Sequence, residues 1–181
     1  DRLNRLDATF ESDLEGACRR LADEAETFVR SGRTALLVSD TAPGRAPIPM
    51  LLAIGAVHHR LVSRGLRSLA TIVVETDEAR EAHHFACLIG YGAEAVCPRL
   101  ALETVAALAA ADKVGGDRPP PAEAQERFRA AIEDGFLKIM SKMGIADVAA
   151  YCGAQVFDVL GLAEEVVDLC FVGTPSPVGG I

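Results

Sequence analysis

Two continuous apolar runs, TALLVS at 34–39 and LATIVVE at 69–75, constrain this chain more than any other feature. Such runs lack the in-out alternation of a half-exposed strand, so they describe strands covered on both faces. Between them lies a segment, 49–64, that is apolar almost all round and starts on Pro49, a residue suited to a first helical turn. Gly65 stops it. Covered strands alternating with helices require a parallel sheet with right-handed crossovers.

The flanking segments extend the alternation. Ser12 with Glu15 has capping-box spacing. Leu14, Ala17, Cys18, Leu21, Ala25, Phe28 and Val29 then recur at helical intervals until Gly32. A helix is expected over 79–91, stopped by Gly92, then a short strand over 93–96 and an Ala/Leu-rich helix over 98–111. Residues 12–111 therefore read α-β-α-β-α-β-α, and residues 1–10 read as a polar lead-in. The stretch DKVGGDRPPP at 112–121 is a linker. Helix resumes over 122–143 and ends at Gly144. Short helices are expected over 147–151, 154–160 and 163–169, followed by an extended Gly/Pro-rich tail. The fold class is α/β: a core of parallel βα units over 1–111 and a helical extension over 122–181 packed on it, in one structural domain.

A net charge of −8 argues against nucleic acid or an anionic membrane as the main partner. No apolar run reaches the ~18 residues of a membrane helix, and the N-terminus lacks a signal-peptide pattern. The five cysteines include no C-x-x-C pair and read as reduced and structural, as in a cytoplasm. The chain starts on Asp1 and stops at Gly179-Gly180-Ile181, which reads as a piece of a longer protein.

Ligands of parallel sheets meet the carboxyl ends of the strands, which here carry Ser39-Asp40, Glu75-Thr76 and Cys97-Pro98. Asp40 and Glu75 could do acid–base work, but capping of the following loops and helices is the favoured reading. The His58-His59 and His83-His84 pairs lack the i,i+3 or i,i+4 spacing that helical metal ligands need. One histidine of each pair is expected to be buried and the other exposed. Gly90-Tyr91-Gly92 closes a helix instead of opening one and is no phosphate loop. Lys138 and Lys142 stand at a helix C-terminus, where positive charge is favourable. The surrounding KIMSKMGI and YCGAQVF blocks are distinctive.

Four blocks, APIPMLLAIGAVHH (46–59), VVETDEAREAHHFACLIGYGAEAV (73–96), GFLKIMSKMGI (135–145) and YCGAQVFDVLGL (151–162), resemble the C-terminal part of the central domain of the glutamate synthase large subunit. The tail GTPSPVGG resembles the stretch leading toward that family's FMN-binding barrel. The resemblance implies a partial, TIM-barrel-like sheet. It also implies a parent that makes two glutamates from glutamine, 2-oxoglutarate and reductant, using FMN and an iron–sulfur cluster. The family's nucleophilic cysteine, cluster cysteines and flavin residues match no position here, so no catalytic, cofactor or metal residue is carried over. What carries over is the role of a module between amidotransferase and synthase domains that helps enclose an ammonia tunnel. Glu75, Arg80, His83, His84, Lys138, Ser141, Lys142, Met143 and Gln155 are its candidate interdomain or tunnel-lining residues. Partners would be the other domains of the parent, and a small subunit or ferredoxin. The compartment would be the cytoplasm, or a plastid in a photosynthetic eukaryote. Cys152 and Pro177 stand where the family usually has Arg, Arg99 where Tyr is common, and Arg60 replaces a third histidine.

Two rival readings remain. A free-standing enzyme would use Asp40, Glu75 and the His83-His84 pair in an open pocket with raised carboxylate pKa values. A regulatory domain would instead bind another subunit.

Overall fold

Residues 3–180 are described in a computed structural model. Asp1 and Arg2 of the expected lead-in, and Ile181 of the tail, lie outside the described residues. The central sheet has four parallel strands, β1 (Asn4–Asp7), β3 (Ala35–Ser39), β5 (Thr71–Thr76) and β6 (Ala95–Pro98), in the order β1-β3-β5-β6. Each strand lies beside the previous one with no reversal of direction. That is the winding of a barrel segment and not of a doubly wound sheet. Leu6, Leu36, Val38, Ile72 and Val74 are fully buried and form its apolar layer.

The first strand corrects the reading of residues 1–10 as a lead-in. Only Leu6 in NRLD is apolar and inward, so the four residues carry too short a pattern to recognise alone. Register with residues 36–39 of β3 makes them a strand. A two-residue strand, β2 (Thr9–Phe10), follows and pairs antiparallel with β4 (Ala46–Pro47).

Helix α1 (Leu14–Arg30) is capped by Asp13, which accepts a bond from Gly16 N at 2.8 Å, and not by Ser12. Glu15 pairs with Arg19 instead. Helix α2 (Met50–Ser63) packs against α1 and against α7 (Glu164–Cys170). The approach to α7 requires Gly55, because a Cβ there would lie 2.0 Å from the Cys170 carbonyl oxygen. The residues between α2 and β5 make a short 3-10 turn, Arg67–Leu69, so β5 starts two residues later than its apolar run. Helices α3 (Ala82–Gly90) and α4 (Arg99–Ala110) follow β5 and β6.

The 112–121 segment is pinned at both ends. Arg118 pairs with Asp112 at 2.9 Å, and Arg127 grips Asp117 through two bonds of 2.7 and 2.6 Å. Helix α5 (Pro121–Met143) packs on α3 and α4 and ends at Gly144, whose φ of 72° is the left-handed stop that favours glycine. Helix α6 (Val148–Tyr151) follows. The helix expected over 154–160 does not form. Instead Phe157 inserts its ring beside Gly90 and Tyr91, and the chain runs extended into β7 (Leu160–Leu162), paired with β8 (Val178–Gly179). Tertiary wedging of one aromatic ring there outweighs a weak helical pattern.

Candidate functional site

The carboxyl ends of the strands open onto a polar cleft of about 800 Å³, with Arg5, Asp40, Glu75, Asp77, Arg80 and Arg99 among its walls. Its centre is Glu75. Oε1 accepts from Ser39 Oγ at 2.6 Å and from Thr41 Oγ1 at 2.9 Å, and Arg5 stands 3.7 Å away. Arg5 also donates to Ser39 Oγ and to the Thr41 carbonyl oxygen. The hydroxyl of Ser39 foremost, then that of Thr41 and the Arg5 charge, hold Glu75 below the usual carboxylate range despite an opposing cost of burial. A carboxylate so satisfied is an anchor between β3 and β5, and a poor proton acceptor at neutral pH.

Asp40 contrasts with it. The residue is 7% exposed, and burial pushes its carboxyl up against the opposing effect of the Thr76 hydroxyl and Asp77 N–H bonds. Thr76 Oγ1 in turn accepts from Glu78 N. Glu78 reaches across to accept from Met50 N at 2.7 Å, and so caps α2, whose preceding residue Pro49 offers no side-chain cap. Arg99 binds Asp77 and Glu103, tying the start of α4 to the end of β5.

Arg80 shares this cleft with Glu75, but His83 and His84 are not among the residues that line it. The expectation of one buried and one exposed histidine fails for this pair, since both are exposed. With α3 starting at Ala82, the pair falls on its first turn, on a short helix already committed to burying Phe85, Ala86 and Leu88. His84 Nδ1 accepts from Arg80 N at 3.2 Å and so fastens the loop before α3, leaving its Nε2 3.6 Å from Glu81. His83 turns away toward Cys87 Sγ and the edge of the Phe157 ring.

His58 and His59 meet the expectation only in part, since the first is buried but the second is not exposed. His58 is buried and its Nδ1 accepts from Arg67 Nε at 3.1 Å, while His59 is half-buried. Burial first, then the neighbouring His59 and Arg67, lowers His58 to about 4, so the ring is neutral. Both line a cavity of about 320 Å³ together with Tyr91, Tyr151, Gln155 and Phe157. Gln155 holds a φ of 54° at its rim. The buried His59 Nε2 and Tyr151 OH have no hydrogen-bond partner, whereas Tyr91 OH bonds Thr174 Oγ1 at 2.7 Å.

The remaining candidates, Lys138, Ser141, Lys142 and Met143, lie on the last turns of α5, away from both sites. Ser141 borders a shallow depression with Leu137, Met140 and Ile145. Cys18 and Cys170 hydrogen-bond between α1 and α7, which lowers the first thiol and raises the second. Among the described residues no three His, Cys, Asp or Glu side chains converge to hold a metal ion. No helix of the described residues is long and apolar enough to cross a membrane.

The sequence reading named Ser39 only as a strand-end residue and gave no role to Arg5, Thr41 or Glu78. Their roles depend on partners 28 to 36 residues distant, and spacing along the chain carries no such signal. The local signal available was that Ser39 and Glu75 each close an apolar run.

A singly wound parallel sheet with a polar cleft at its carboxyl edge defines a barrel-type α/β unit. A family model described as the glutamate synthase central domain matches residues 1–163, and the chain belongs to that family. It is 45% identical over 183 residues to the chloroplastic ferredoxin-dependent glutamate synthase of Oryza sativa subsp. japonica, covering 95% of this chain and 11% of that protein. The NADPH glutamate synthase large chain of Bacillus subtilis is 40% identical over 181 residues, covering 98% and 12%. The NADH glutamate synthase of Schizosaccharomyces pombe is 43% identical over 169 residues, covering 91% and 8%. The chain thus spans about a tenth of the length of the relatives it matches.

Proposed function

We propose that this chain is the interdomain module of a glutamate synthase, positioning a glutamine-hydrolysing domain against an FMN-bearing synthase domain and helping to enclose the path of ammonia between them. The observation that carries this reading is α4. It is an Ala/Leu-rich helix that contributes no buried residue among those described, with Leu100 39% and Leu108 41% exposed. An apolar helix that α5 covers on one side only leaves a surface built to be covered. The sparsely exposed cavity beside Gln155 and the apolar end of α5 near Met143 are further candidate contacts. The parent's FMN and iron–sulfur cluster would be held by residues outside this chain. Ferredoxin or a small subunit would supply electrons to the parent, in the cytoplasm or in a plastid.

The free-standing enzyme is less well supported. It needs two raised carboxylates and a histidine pair in one pocket. Asp40 is raised, but Glu75 is lowered, and neither His83 nor His84 lines the cleft.

The test is the double variant Leu100→Asp/Leu108→Asp in the parent enzyme. Glutamine hydrolysis should persist while glutamate formed per glutamine consumed falls several-fold, and proteases should begin to cut between domains. Unchanged coupling together with an unchanged digestion pattern would remove the reading.

A further inference from the structure

The outer edge of the sheet at β6 is unpaired among the described residues, since β6 hydrogen-bonds only to β5. Which groups face outward follows from the register. Glu94 N donates to the Ile72 carbonyl at 2.9 Å, so Glu94 and Val96 direct their backbone groups inward, and Ala95 and Cys97 direct theirs outward. Both of these residues are exposed.

A groove of about 520 Å³ runs directly along this edge. Its long side is β6 itself, every residue from Ala95 to Pro98 lining it. The opposite wall comes from Phe85 and Ile89 of α3 and from Phe128, Ile132 and Phe136 of α5. The space beside β6, where a further strand would lie, is thus bordered by apolar side chains already in place. The rim is acidic. Glu126 and Glu133 share the single guanidinium of Arg129, at 2.7 and 3.6 Å, and Glu94 is held by Arg67.

We propose that this groove receives an extended peptide segment that adds to β6 as a fifth strand. Three features select that occupant over a helix or a small apolar molecule. The outward N–H and C=O groups of Ala95 and Cys97 offer a hydrogen-bond ladder that only another backbone can match. The apolar wall suits a strand with apolar side chains at alternate positions. The excess carboxylate at the rim suits a Lys or Arg flanking it. The interdomain reading enters only in naming the source, another segment of the parent polypeptide. The contact itself stands apart from the exposed face of α4.

The experiment is hydrogen exchange by NMR or fragmentation mass spectrometry on the intact parent enzyme, with Ala95→Pro and Ala95→Val variants. Proline removes the outward N–H of residue 95 at the first position of β6, where a strand tolerates proline. In the unmodified parent, the amides of Ala95 and Cys97 should exchange at least tenfold slower than unprotected amides. Ala95→Pro should abolish the slowing at Cys97 and lower the melting temperature by several degrees, and Ala95→Val should retain the protection. Unprotected amides at both positions would overturn the proposal. A silent Ala95→Pro would also overturn it, because proline is tolerated on a free edge. Protection that grows with protein concentration would point to a second copy of the chain and would equally overturn it. The Leu100→Asp/Leu108→Asp variant leaves the ladder intact, so failure of the interdomain reading and failure of strand addition give different results.

Discussion

The carboxyl edge of the sheet and the block that follows Gly144 are held by opposite kinds of interaction. At the edge, polar side chains bond across neighbouring elements: Arg5, Ser39, Thr41 and Glu75 form one closed set, and Glu78 finishes α2, while Asp40 Oδ1, Asp77 Oδ1 and Arg99 Nε are left without partners. In the C-terminal block the work is done by rings. Tyr151 meets Phe136 edge-on at 5.1 Å, Phe157 stacks on Tyr91 at 5.8 Å, and the buried Tyr151 OH goes unpartnered. The edge is specified by hydrogen bonds between neighbouring strands, each modest in net worth. The block is specified by shape, where loss of one ring costs more.

This difference predicts an ordering of effects. Tyr151 is fully buried in a small cluster with Ala86, Phe136 and Met140. Tyr151→Ala should cost about 3–5 kcal/mol, as aromatic truncations in cores do. Urea unfolding followed by near-ultraviolet dichroism measures it. A loss under ~1 kcal/mol would mean that the block is loosely attached and that the contrast drawn above is wrong.

Glu75→Gln should cost less, about 1–2 kcal/mol at neutral pH, because charge-assisted bonds to two hydroxyls weaken while the neighbours remain in place. Its dependence on pH has a definite sign. Glu75 is depressed in the folded state, so its contribution is complete above the ordinary glutamate value and disappears as pH falls through the folded one. The gap between native and Glu75→Gln stabilities should therefore narrow in acid. A gap that stays constant down to pH ~2 would show that Glu75 acts by packing.

The same contrast explains what was legible in the sequence. The sheet and its crossovers were readable because 34–39 and 69–75 are uninterrupted apolar runs, and α1 because its period is regular. Strand β1 was not readable, since four residues with one inward leucine carry no period and need β3 as a template. Residues 154–160 looked helical because nothing local announces that Phe157 fits over Gly90. At the site, Asp40 and Glu75 were visible as strand-end carboxylates. Their opposite pKa shifts were not, because those depend on Ser39, Thr41 and Arg5 beside one and on burial of the other. The pairing of His84 with the Arg80 backbone, five residues from Glu75, was readable only as a polar corner.

The smallest effect is the most discriminating. Tyr151→Phe removes one oxygen and keeps the ring that the block depends on. A buried tyrosine hydroxyl with a partner is worth roughly 1 kcal/mol, so its loss is normally destabilising. Here the hydroxyl has no partner, and burial pushes its pKa up to about 12. The folded state carries the desolvation cost of the oxygen without a compensating bond, whereas the unfolded chain hydrates it. Tyr151→Phe should therefore leave stability unchanged or raise it by up to about 1 kcal/mol, seen as a shift of the urea midpoint to equal or higher concentration. Combined with Tyr151→Ala, this separates the ring from its hydroxyl at one position. A midpoint that falls as far as in Glu75→Gln would mean that the block, like the carboxyl edge, is held by a polar bond, and the distinction between the two regions would collapse.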